Sequence, residues 1–157
     1  MGQQQLILLV LATVIVGVAI VVGIRAFTEN DAKSNADAMM QDAVRMANDV
    51  QAWAKKPQPF GGPAPGTANA WTTAGFGDIG YSSATAATAG DPDLYTNLNG
   101  EFTLVGGLIT GTSYEDDGTT DKNVVEVRVC GTEDDDIKGA IVTINGQDTN
   151  ATGAPAC

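Results

Sequence analysis

MGQQQLILLVLATVIVGVAIVVGIRAF, residues 1–27, decides how the rest of the chain is read. From Leu6 to Ile24 run 19 residues without a charge, and Thr13 is the single clearly polar side chain among them. As a helix this run reaches about 28 Å at 1.5 Å per residue, the thickness of one bilayer core. A secretory leader carries a basic start and an apolar stretch of only about 7–15 residues. No Lys or Arg precedes Leu6 here. The expectation is therefore a retained, membrane-length helix rather than a segment that is cut away.

Helical periodicity continues past the apolar run. Apolar residues recur at Phe27, Ala32, Ala36, Met39, Met40, Ala43, Ala47, Val50 and Ala54 in steps of three and four, with charged residues between them. That spacing marks an amphipathic helix. No Gly or Pro interrupts residues 24–56, and Pro57 disfavours helical geometry in the residue before it. The reading is one helix over residues 1–56, membrane-length over 1–26 and one-sided over 27–56.

Residues 57–157 form the expected head. Residues 57–100 are rich in Gly, Ala, Pro and Thr, with aromatics at Phe60, Trp71, Phe76 and Tyr81. They read as an irregular loop docked by those rings. Strand signals follow at EFTLVGGLITGT (101–112), NVVEVRVC (123–130) and KGAIVTIN (138–145). In the second, Val125, Val127 and Val129 alternate with Glu126 and Arg128, as in a sheet buried on one face. Short connections make the strands antiparallel. The fold class is thus α+β: a long N-terminal helix whose Met39–Val50 side packs on a small antiparallel sheet over 101–145, with a tail over 146–157.

Charge is divided unevenly. Residues 25–56 carry five basic and five acidic side chains, whereas residues 57–157 carry three and fourteen, so the net charge of −11 resides in the head. An acidic surface repels phosphate, and nucleic acid is not an expected partner. Cys130 and Cys157 are the two cysteines. Paired, they would pin the tail, stabilise the fold by roughly 3–4 kcal/mol and point to an oxidising compartment. The alternative is two free thiols in a reducing one.

A membrane-length apolar helix running into an amphipathic one, then a loop, a small sheet and a C-terminal cysteine pair, resembles the type IV pilin superfamily. The resemblance implies a subunit anchored first in the membrane. It is then moved by inner-membrane assembly machinery into an extracellular helical homopolymer, where the apolar helices bundle in the core. Adhesion or surface motility would follow from the polymer. The residues this assigns to the core are Met1, Gln5, Leu6, Leu9, Ala12, Thr13, Val16, Gly17, Ala19, Gly23 and Ala26. Ala12, Ala19 and Ala26 recur every seven residues, and Ala19/Gly23 and Thr13/Gly17 are small residues four apart, as found where membrane helices touch. Three features depart from the family pattern: Gln5 stands where an acidic residue is usual, the mid-helix proline is missing, and no basic leader precedes a cleavage point. Gln5 can hydrogen-bond a neighbour's terminal amine without supplying charge. Gly17 and Gly23 are then the places for local loosening. Arg25 and Lys33 follow the run, which by the positive-inside rule would place the head in the cytoplasm. The cysteine pair and the resemblance place it outside.

Two rivals share parts of this pattern. One is a pseudopilin of a secretion system; the other is a monomeric, single-pass anchored binding domain. An enzyme is not expected: the chain has no histidine, four serines in no nucleophile setting and no phosphate-binding glycine loop. No cofactor is expected either, with Ca²⁺ the one candidate. Asp116, Asp117 and Asp121, with Glu115, form an oxygen-rich turn suited to it, and Glu133–Asp136 form a second acidic run. Asn150-Ala151-Thr152 matches the N-glycosylation acceptor.

Overall fold

The computed structural model describes residues 2–82, 93–114, 122–149, 153 and 156–157. The chain is α+β: helix α1, Gly2–Ala54, lies across one face of a six-stranded antiparallel sheet. At 53 residues α1 is about 80 Å long. It passes through Gly17 and Gly23 without a break. Its end comes two residues before the expected position. Lys55 N–H still donates to Gln51 O, but Lys56 N–H tightens onto Trp53 O, and Pro57 follows. Trp53 Nε1 then donates to Gly61 O at 2.9 Å, folding the chain back against the helix end.

The strands are β1 Asp93–Thr96, β2 Glu101–Val105, β3 Leu108–Thr112, β4 Val124–Val129, β5 Ile137–Ile144 and β6 Gln147–Asp148, paired in sequence order. Three departures from expectation share one cause. The segment 101–112, read as one strand, is two: Gly106 and Gly107 both take positive φ (58° and 80°) and turn the chain in a two-residue hairpin. Asn145 and Gly146, at 52° and 69°, do the same between β5 and β6, so the tail begins with a strand. Strand β1 lies inside the stretch read as loop and pairs Tyr95 with Phe102. These short strands owe their conformation to their neighbours' ladders, not to a period of their own.

Alternation then selects the core. Phe102, Leu104, Ile109, Val125, Val127 and Val129 face α1 and are buried. Opposite them Ala36, Met39, Ala43, Met46, Ala47 and Val50 are also buried, the alanines allowing close approach of helix and sheet. Gly111 is required there: a Cβ would stand 2.7 Å from the Phe102 ring and 2.8 Å from Val125. The loop docks through Trp71, Phe76 and Tyr81; Tyr81 packs edgewise on Tyr95 at a centroid distance of 4.9 Å and Phe76 lies tilted against it at 5.7 Å. Phe60 does not dock; it is 75% exposed. Cys130 and Cys157 are disulfide-bonded, tying the chain end to the end of β4.

Candidate functional site: the bare half of the helix

Among the described residues the head's hydrogen bonds to α1 begin at Ala32, and Glu29 and Lys33 line a shallow cavity with Ile144, Asn145 and Thr149. Asn123, buried just before β4, donates through Nδ2 to Ala32 O (2.8 Å) and Asn35 Oδ1 (3.0 Å) and accepts from Asn145 N–H (2.8 Å). Asn35 in turn donates to Asn99 O. About two turns further along, Asp42 Oδ2 accepts from Asn97 (2.9 Å) and Asn99 (2.7 Å). Gln51 donates to Gly131 O and Glu133 O, and Tyr81 Oη donates to Asp49 Oδ2 at 2.8 Å. Burial, then the hydrogen bond and the negative charge of Asp49, push the Tyr81 phenol up to about 12. These polar clasps fix the rotation of α1 against the sheet, and so decide which side of the helix stays free. Sequence reasoning missed them. Their sole trace was an excess of Asn beside the strands, and Asn more often marks a turn.

Over residues 6–27 no described residue of the head covers the helix. Every large apolar side chain from Leu6 to Ile24 is at least half exposed, and Phe27 is 73% exposed. The segment is long and apolar enough to cross a membrane. The Thr13 hydroxyl donates to Val10 O at 2.8 Å, so it makes no polar demand on a neighbour. A side chain added at Gly17 or Gly23 would meet nothing within 4 Å in the single chain.

Continuity of α1 places the predicted core residues around its axis. At about 100° per residue, Gln5, Leu9, Ala12, Val16, Ala19 and Gly23 fall within about 60° of the direction opposite the sheet. Thr13 and Ala26 flank that line on its two sides, and Leu6 and Gly17 lie farther round. The Thr13/Gly17 pair therefore belongs to a different side from the Ala19/Gly23 pair. In the head the same outward direction carries Ser34, Asp37, Gln41, Arg45 and Asn48, all exposed. One uncovered face thus runs the length of the helix.

Met1, Asp116, Asp117, Asp121 and Asn150 lie outside the described residues. The second acidic run is used locally: Glu133 and Asp136 cap each other across the turn into β5, with Glu133 N–H donating to Asp136 Oδ2 at 3.0 Å. Among the described residues no group of three or more His, Cys, Asp or Glu is placed to hold a metal ion. The chain matches no protein-family model, no curated protein and no solved structure.

Proposed function

We propose that this chain is the structural subunit of an extracellular, type IV pilus-like filament, polymerising through α1 with the acidic head outward. The observation that carries the reading is the bare half of α1. At roughly 1 kcal/mol for each half-exposed Leu, Ile or Val, leaving fourteen such side chains between Leu6 and Ile24 in water costs on the order of 10 kcal/mol. Among the described residues the head leaves them uncovered, and a bilayer or other copies supply the cover. A bilayer serves the subunit before assembly. The small residues on the outward face favour copies afterwards, because inside lipid it is close backbone approach, not hydrophobicity, that holds helices together. The disulfide fits an oxidising exterior. Membrane-embedded assembly machinery is then the partner that extracts the subunit, and adhesion or motility would be properties of the polymer.

The test is electron microscopy of material sheared from cells that make the chain, with the filament protein identified by mass spectrometry. Long filaments built from this chain are the expected result. A purified lone subunit whose residues 2–24 stay protected by detergent or bilayer would leave a single-pass anchor instead.

A further inference from the structure

We infer that contact between copies continues above the apolar run, along the polar back of α1, where Asp37 of one copy pairs with Arg45 of the next. The inference rests on the polymer reading and specifies its register. Between Asn30 and Ala52 the outward face of α1 presents small or uncharged side chains, Ser34, Gln41 and Asn48 among them, and two charges of opposite sign, Asp37 and Arg45. Both are exposed. Lys33 stands one turn before Asp37 and Asp49 one turn after Arg45. The Arg45 charge also acts on the Tyr81 phenol that is bonded to Asp49, so the pair between copies competes with Lys33 and Asp49 on the same helix. Eight residues separate them, which is about 12 Å of rise, too far to pair along one helix. A parallel copy displaced by that rise brings its Asp37 level with Arg45 of the first.

Charge complementarity argues that this surface meets a second copy. Residues 57–157 hold three basic and fourteen acidic side chains, so head surfaces repel one another, whereas residues 25–56 balance at five and five. The back of α1 is where copies of a −11 chain approach with opposite charges facing. It also lies in line with Ala12, Ala19 and Gly23, so one helix–helix contact can run through both halves. The contact is heterologous: Asp37 serves one neighbour and Arg45 the other, which gives an open helical polymer rather than a closed pair.

The experiment uses the full chain with Asp37→Arg, Arg45→Asp and the double exchange, reading filament yield and head Tm. Each single reversal is expected to lower yield at least tenfold, with head Tm unchanged for Asp37→Arg. Arg45→Asp, which adds a carboxylate beside Asp42, Asp49 and Tyr81, is read against the head Tm measured for the same variant. The double exchange is expected to return it to within about threefold of wild type. A second measurement places cysteines at both positions and applies a thiol cross-linker shorter than the 37–45 rise. A staggered parallel register gives a covalent ladder; antiparallel pairing centred on Gln41 stops at a dimer and overturns the inference. Filaments that tolerate both single reversals, or a double exchange that restores nothing, overturn it as well while leaving the polymer reading intact. A wild-type chain that never polymerises removes both.

Discussion

Replacing Ala19 and Gly23 together with leucine separates what the single chain needs from what an assembly needs. In the single chain Ala19 is exposed and a Cβ at Gly23 has no neighbour within 4 Å, so nothing is overpacked. Helix propensity even favours the change by about 0.8 kcal/mol at Gly23, and added apolar surface suits a bilayer. A packed helix bundle responds in the opposite sense. Inserting side chains into a close contact costs about 1–3 kcal/mol at each site, hence about 2–6 kcal/mol for two. At 1.4 kcal/mol per decade the critical concentration for assembly should rise between about 30-fold and more than 10⁴-fold. The assay pairs filament yield in the sheared fraction with thermal denaturation of the head. Lost filaments with an unchanged head Tm are expected. Yield within twofold of wild type would refute close packing along this line and leave the outward face without a role.

Three further outcomes test the head itself. Cys157→Ser should cost about 3–4 kcal/mol, given the sequence separation of 27, and lower the head Tm by on the order of 10 °C; reduction of the wild type should reproduce the loss in calorimetry. Asn123→Ala strips two donated bonds from α1 and leaves Asn145 N–H without its acceptor, so a loss of about 2–3 kcal/mol is expected in denaturant unfolding. Asn123→Asp keeps the acceptor for Asn145 N–H but turns a buried carboxylate towards Ala32 O and Asn35 Oδ1, so it should lose at least as much. Tyr81 should ionise near pH 12 in an ultraviolet titration. Its folded value lies above the unfolded value of about 10, so its stabilisation is complete below about pH 10 and is lost as pH climbs towards 12. Asp49→Asn should bring that titration down, and a Tyr81 titration that Asp49→Asn leaves unmoved would contradict the Asp49 contact.

What residues 1–157 determine alone is whatever a local period or a covalent rule encodes. The charge-free run from Leu6 to Ile24 sets the length of the apolar helix, and three- and four-residue steps through Val50 carry it into the head. Alternating valines at 125, 127 and 129 make a one-faced strand, and the two cysteines pair. At Gly106-Gly107 turn chemistry was written in plain residues but masked by Leu104-Val105 and Leu108-Ile109 on either side, because a continuous apolar segment has the same period with or without a hairpin in it. After Asn145-Gly146 the polar Gln147-Asp148 gives no strand pattern for the turn to join. Strands β1 and β6 are too short to carry a period and exist because a neighbour offers a ladder.

Only the tertiary structure decided the rotation of α1 against the sheet. That rotation is held by Asn123, Asn35, Asp42 and Gln51, through bonds that join residues as many as 91 positions apart. Helical periodicity tells which residues share a side but not which way that side points. The direction comes from long-range polar contacts, and it leaves Ala12, Ala19, Gly23, Asp37 and Arg45 on the side the head does not cover.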